Sequence, residues 1–187
     1  NTSKKHPQHK IWPYLLKGLT ITRPNQVWCV DISYIPMRRG FLYLVAIMDW
    51  FSRKVLAWRL SNGMESSFCI EALKEALAKY GKPEIMNSDQ GSQFTGFEWT
   101  QALTDAGVKI SMDGRGRWID NRMIERLWRS LKYECIYLNA FETGSEARRG
   151  IGNWISYYNA ERPHSSHGIL TPDEAYESKT QPMKIAA

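Results

Sequence analysis

Apolar residues recur in two rhythms along this chain, and each change of rhythm marks an element. Val27-Trp28-Cys29-Val30-Asp31-Ile32-Ser33-Tyr34-Ile35 is β-branched and aromatic almost throughout, which predicts a buried strand. Phe41 to Asp49 follows the turn signal Arg38-Arg39-Gly40 as a second, nearly all-apolar strand. Val55 to Leu60 follows Ser52-Arg53-Lys54 as a third. Connections this short predict an antiparallel meander. From Glu65 to Tyr80 the period becomes helical: Phe68, Ile70, Leu73, Ala76, Leu77 and Tyr80 share one face, and Gly81 with Pro83 ends the run. Glu84 to Ser88 predicts a short buried strand parallel to the first. Phe94 to Ala106 predicts a helix stopped by Gly107, and Val108 to Met112 a fifth strand. Asp120 to Leu138 then predicts one long amphipathic helix capped by Asp120 or Asn121, with Ile124, Leu127, Trp128, Leu131, Cys135 and Leu138 on its buried face. Glu146 to Tyr158 predicts another helix.

Three antiparallel strands followed by helix, strand, helix, strand and helix make an α/β protein with a mixed five-stranded sheet and helices on both faces, an order that matches the ribonuclease-H-like fold. The predicted organisation is a basic arm or linker over residues 1–24, a catalytic core over 25–160 and a C-terminal extension over 161–187. The arm carries Lys4, Lys5, Lys10, Lys17 and Arg23, with no acid before Asp31 and with Pro7, Pro13 and Pro24 breaking any period. It reads either as a solvated tail or as a segment that tracks DNA.

Charge and cysteine content narrow the partners. Against 19 Asp and Glu stand 25 Lys and Arg, a formal net charge of +6, which favours a polyanionic partner. Cys29, Cys69 and Cys135 are far apart and lack a C-x-x-C spacing, so neither a disulfide framework nor a zinc site is indicated and a reducing cytosol is expected. No apolar run has bilayer length, and Asp49 interrupts the run from Phe41 to Trp50. The chain begins at Asn1 without a signal-peptide pattern, which is expected of a processed product or an excised piece.

Three acids carry the candidate chemistry. Asp31 is the one charge inside the first strand, a costly placement unless the carboxylate is paired or ligates a metal. The alternative is a carboxylate satisfied by an arginine or by backbone donors. Asp89 lies just after the short fourth strand in Ser88-Asp89-Gln90-Gly91-Ser92-Gln93-Phe94, and Glu125 lies in the long amphipathic segment. Strand, strand end and helix could bring the three together, and a carboxylate triad suits a pair of Mg²⁺ or Mn²⁺ ions. The plainer reading of Glu125 is an exposed pair with Arg129. Asn121, Arg122, Arg129 and Lys132 fall on the same side of that helix, and Arg115 and Arg117 stand in the preceding glycine-rich loop, so these six are the candidate DNA contacts. Trp118 is a candidate base-stacking residue. Asp49 rivals Asp31, but as a residue beside a turn it is expected to cap Ser52 or Arg53. His164 and His167 are spaced for a metal on a helix, but Pro163 and Gly168 make the segment a loop.

These motifs together resemble the catalytic domain of the insertion-sequence-three family of bacterial DDE transposases, relatives of retroviral integrases. Asn25 to Ile35 looks like the family's first-aspartate strand, Ser88 to Phe94 like its second, and Asp113-Gly114-Arg115-Gly116-Arg117 with Asp120-Asn121 and Ile124 to Glu134 like its glutamate segment. The 35 residues between Asp89 and Glu125, Lys132 seven positions after the Glu, and the closing Tyr158-Asn159, Arg162-Pro163-His164, Gly168 and Thr171-Pro172 also fit. Ile119 stands where many members have Trp. The upstream helix-turn-helix of family members is absent from this sequence.

The resemblance implies a divalent-metal-dependent polynucleotidyl transferase that cleaves insertion-sequence ends and joins the freed 3′-hydroxyl to target DNA. Asp31, Asp89 and Glu125 would serve as catalytic residues and as ligands of two ions. It implies DNA as partner, a homo-oligomer assembled on DNA, a cytoplasmic, nucleoid-associated bacterial location, and neither a membrane nor a small-molecule substrate. The alternatives are a catalytically silent DNA-binding or assembly domain and a structure-specific nuclease on the same fold.

Overall fold

A computed structural model describes residues 10–114 and 122–178. Its centre is a five-stranded sheet in the order β3-β2-β1-β4-β5, built from β1 (Val27–Pro36), β2 (Phe41–Asp49), β3 (Val55–Ser61), β4 (Ile85–Ser88) and β5 (Lys109–Met112). The first three strands pair antiparallel through short turns, and β4 and β5 add in parallel to β1, as the pattern predicts. Each parallel strand is reached through helices: α1 (Ser67–Tyr80) before β4, and α2 (Ser92–Thr95) with α3 (Phe97–Asp105) before β5. After β5 come α4 (Arg122–Leu131), α5 (Tyr137–Asn139), α6 (Gly144–Ala160) and α7 (Pro172–Glu177).

Strand alternation sorts the core into two layers. Trp28, Val30, Val45, Ile47 and Met86 point to the side covered by α1 and α3, where Phe68, Leu73, Trp99 and Leu103 meet them. Cys29, Ile35, Leu44, Ala46 and Met48 point to the other side, beneath Ile124, Leu127, Trp128 and Leu131 of α4 and Ile151 and Ile155 of α6. A sheet covered on both faces needs apolar residues at successive positions, which is why β1 and β2 read as near-continuous apolar runs. Asp31 shares the parity of Cys29 and so lies on the α4 side.

Two predicted helices differ in the structure. The run from Phe94 to Ala106 is broken at Gly96, whose extended backbone (φ −67°, ψ 151°) separates α2 from α3. The segment from Asp120 to Leu138 is not one continuous α-helix either: Lys132–Ile136 is a π-helical turn. The wider turn inserts an extra residue and shifts the face that follows. Cys135 is buried as expected and Ile136 joins it, while Leu138, expected on the buried stripe, is 74% exposed.

Both ends of the described chain are tied to the core. Residues 10–24 form no helix or strand, yet Leu16 is buried, the Leu15 N–H donates to Ser111 Oγ at 3.0 Å, and the Met112 N–H donates to the Pro13 carbonyl. At the other end Thr171 caps α7 with a reciprocal capping box to Glu174, and Tyr176 Oη donates to Asn25 Oδ1 at 3.0 Å. No helix among the described residues is long and apolar enough to cross a membrane.

Candidate active site

Parallel pairing of β1 with β4 sets two of the acids side by side. The ladder matches Trp28 with Met86 and Cys29 with Asn87. Two residues further on come Asp31 within β1 and Asp89 just past the end of β4, so extending the register sets them at the same level, and the Asp89 charge acts on Asp31. Adjacent strands lie about 4.8 Å apart, which makes the two acids neighbours beyond the end of the β1–β4 ladder. Opposite Asp31 in the antiparallel direction is Ala46, which leaves its carboxyl room above the sheet.

Each aspartate has a fixed orientation. Trp128 on α4 donates its indole Nε1–H to Asp31 Oδ2 at 2.9 Å. Asp89 Oδ1 accepts the Gly91 N–H at 2.9 Å, a tight turn just beyond β4. A Cβ on Gly91 would stand 2.9 Å from that same Oδ1, so only glycine lets the carboxylate lie against its own turn. Behind the turn, Ser111 Oγ donates to Asn87 Oδ1, Asn87 Nδ2 donates to Asp113 Oδ1, and Gln90 Nε2 donates to the Asp113 carbonyl, each at 2.8 Å. This network ties the ends of β4 and β5 together beneath Asp89. Replacing Gly91 by Ala should push the Asp89 carboxylate out of place. The expected result is a loss of DNA-cleaving activity of about tenfold or more with a nearly unchanged melting temperature. Wild-type activity in that variant would show that the position of Asp89 is not limiting.

The third acid comes from the helix above. Glu125 is in the first turn of α4, exposed, on a groove of about 520 Å³ that it lines with Arg122, Met123, Arg126 and Arg129. Among the described residues Glu125 and Arg129 form no ion pair, and neither Asp31 nor Asp89 forms one. Asp31 is partly buried and is held by the Trp128 indole and the Ile32 backbone, so of its two alternative partners the backbone donor is present and an arginine ion pair is not among the described residues. The Asp31 carboxyl is raised to about 6, chiefly by burial and then by the charges of Asp89 and Glu125, against the hydrogen bonds from Trp128 and the Ile32 backbone. The three acids thus share one electrostatic field. They do not share a coordination sphere here: among the described residues no three His, Cys, Asp or Glu side chains are grouped to hold an ion. The donor set itself fits Mg²⁺ or Mn²⁺, being all hard carboxylate oxygen, and none of the three acids is tied up in an ion pair among the described residues.

Other predicted site residues are distributed as follows. Arg122 and Arg129 stand beside Glu125 in the groove, whereas Lys132 is partly buried at the start of the π-helical turn and does not line the groove. Arg115, Arg117, Trp118 and Asn121, with the predicted cap Asp120, lie outside the described residues. Asp49 is the turn residue it was expected to be, accepting from Ser52 N–H and Ser52 Oγ at 2.7 Å each and from Asn25 N–H at 2.8 Å. His164 and His167 have ring centroids 5.9 Å apart and belong to no metal-binding group among the described residues. Trp128 and Gly91 act on the site without having been singled out. A buried indole needs an acceptor, and Trp128 follows Glu125 by three positions, so that signal was present in the sequence.

Comparison with known proteins places the chain in a family and agrees with its fold. Two models of the integrase core domain match the chain, one over residues 21–117 and one over 106–172. The transposase for insertion sequence element IS904 of Lactococcus lactis subsp. lactis is 37% identical over 185 residues, covering 91% of this chain and 73% of that protein. The transposase InsF for insertion sequence IS3A of Escherichia coli is 34% identical over 159 residues, covering 83% of this chain and 55% of that protein. The chain thus spans about three quarters of the first relative and little more than half of the second. Among solved structures, the HTLV-2 integrase catalytic core domain in complex with magnesium superposes with a TM-score of 0.68 at 20% identity, covering 82% of this chain and 97% of that one.

Proposed function

The chain belongs to the integrase core domain family that insertion-sequence transposases share, and from that premise we propose that it cuts DNA at the ends of an insertion sequence and joins the freed 3′-hydroxyl to target DNA. The observation that carries the assignment of residues is the β1–β4 register, which sets Asp31 level with Asp89 below a helix that presents Glu125. Asp31, Asp89 and Glu125 would hold two divalent cations, which when bound activate the attacking oxygen and stabilise the leaving one. The chain's own residues then do the positioning. Trp128 holds Asp31 through its indole N–H, the Gly91 N–H fixes Asp89, and Arg122 and Arg129 offer guanidinium groups to the phosphates on either side of the reacting one. Lys132, Asn121, Arg115 and Arg117 are proposed as further backbone contacts. DNA at the insertion-sequence end and at the target is the partner, with a homo-oligomer assembled on it.

Two carboxylates held level at the mouth of a sheet, with a third above them, favour this reading over a silent DNA-binding domain, since a merely basic surface has no use for Asp31 in a buried strand. The test is a nicking and strand-transfer assay on labelled duplex carrying the insertion-sequence end, with Mg²⁺, Mn²⁺ or EDTA. Metal-dependent nicked and joined products are expected. Duplex binding with no product in either metal would favour the silent domain, and nicking that never proceeds to joining would favour a nuclease.

A further inference from the structure

A second pocket opens along α4, and its lining includes neither Asp31 nor Asp89. It has a volume of about 270 Å³ and is lined by Arg53, Arg126, Tyr158, Arg162 and His164, with Ser130 at its side. Every one of these side chains can donate a hydrogen bond, and three carry a fixed positive charge.

Among the described residues neither Arg53 nor Arg126 forms an ion pair. Arg53 sits in the turn after β2 with φ +67°, a left-handed conformation in which a long side chain is uncommon. It also reaches into the protein: its Nη1 donates to the Trp50 carbonyl, and its Nε is buried with no hydrogen-bond partner. The nearest acid in sequence, Asp49, spends both oxygens on Ser52 and Asn25. A buried guanidinium with an unused N–H is costly unless an anion completes it. Arg162 pairs with Glu134, which also accepts from Trp154 Nε1 at 3.2 Å, so one of the three charges is compensated. Arg126 is exposed and in no ion pair among the described residues.

His164 completes a donor set. Burial and the charges of Arg53, His167, Arg126 and Arg162 lower its imidazole to about 4, so it is neutral at physiological pH. Its Nδ1 accepts the Ser166 N–H at 3.2 Å, which leaves the proton of the neutral ring on Nε2 as a donor. A pocket of guanidinium forks, a neutral imidazole N–H and hydroxyls suits a tetrahedral oxyanion. Its position suggests which one, because Met123 and Arg126 line both this pocket and the groove of Glu125.

We propose that the Arg53–Arg126–Arg162–His164 pocket binds a phosphate of the DNA backbone beyond the reacting one, anchoring the strand whose scissile phosphate lies over Glu125. This rests on the transferase reading above. The pocket and the groove of Glu125 share Met123 and Arg126 on α4, and the proposed strand runs from one into the other. Arg126 bridges the two, and Arg53 and His164 hold the phosphate from below.

Duplex affinity measured between about 50 and 200 mM salt tests it on two variants. Arg126→Gln should weaken binding about three- to tenfold and flatten the log–log salt slope by about one unit. Arg53→Lys keeps the net charge but loses the planar fork, so it should also weaken binding severalfold, an effect that a surface charge alone would not give. Inorganic phosphate, at ionic strength matched with chloride, should raise the melting temperature of the wild type and not that of Arg126→Gln. Unchanged affinity and slope in Arg126→Gln would overturn the proposal, and wild-type strand transfer in the same preparation would leave the transferase reading standing. Stabilisation by free phosphate with duplex binding untouched in both variants would equally overturn it, as the pocket would then serve a free anion. Weakened duplex binding in both variants together with an inactive wild type would instead keep the pocket and remove the transferase reading.

Discussion

Amide replacement of any one of Asp31, Asp89 and Glu125 should lower cleavage and joining by more than about a thousandfold, on the order of 4 kcal/mol in transition-state stabilisation, while leaving the fold intact. Each acid enters from a different element, β1, the end of β4 and α4, so no neighbour can replace it. The three are also close enough for Asp89 and Glu125 to raise the Asp31 carboxyl, which makes them one electrostatic unit. Groups that act as a unit are not additive: a double variant such as Asp89→Asn with Glu125→Gln should be about as inactive as either single one. Glu125 is the cleanest member to test, because it is exposed and no ion pair among the described residues would be lost with it. Circular dichroism and melting should be unchanged in Glu125→Gln while strand transfer disappears. Undiminished turnover in that variant would remove Glu125 from the site.

The strands and their order were legible because a sheet covered on both faces writes itself as long apolar runs, and because β1 to β3 are joined by short turns. Asp31 was legible for the same reason: one charge in such a run stands out. The register that makes Asp31 and Asp89 neighbours could not be read, since strand pairing across α1 depends on how the helix packs and not on any local signal. The π-helical turn at Lys132–Ile136 was hidden as well. The apolar spacing through Cys135 fits an uninterrupted α-helix, and only the exposure of Leu138 reveals that the face has turned. Arg53 looked like part of a turn and Arg162-Pro163-His164 like a closing loop. Their meeting beneath α4 joins residues more than a hundred positions apart, which no periodicity carries.

Burial of Asp31 should make the metal-free protein less stable at neutral pH than its Asp31→Asn variant. The carboxyl has a folded-state value of about 6 against an ordinary 3.8, so the folded protein holds this proton more tightly than the unfolded chain. The stabilisation that protonation brings is fully present below the unfolded value near 4. It declines as the pH rises through the folded value, and above about 7 it is gone. A difference of roughly two pKa units corresponds to about 3 kcal/mol. Asparagine never ionises, and its amide oxygen can still accept from Trp128, so Asp31→Asn should escape that cost. In EDTA at pH 8 the variant should therefore unfold at higher denaturant, by up to about 3 kcal/mol, and the gap should close as the pH falls from 7 toward 4. Mg²⁺ or Mn²⁺ should reverse the order at neutral pH, because a cation stabilises the ionised carboxylate of the wild type and finds one ligand fewer in the variant. Equal stabilities in EDTA across that range would show that Asp31 titrates as an ordinary surface acid, and equal metal-induced shifts would show that it holds no ion.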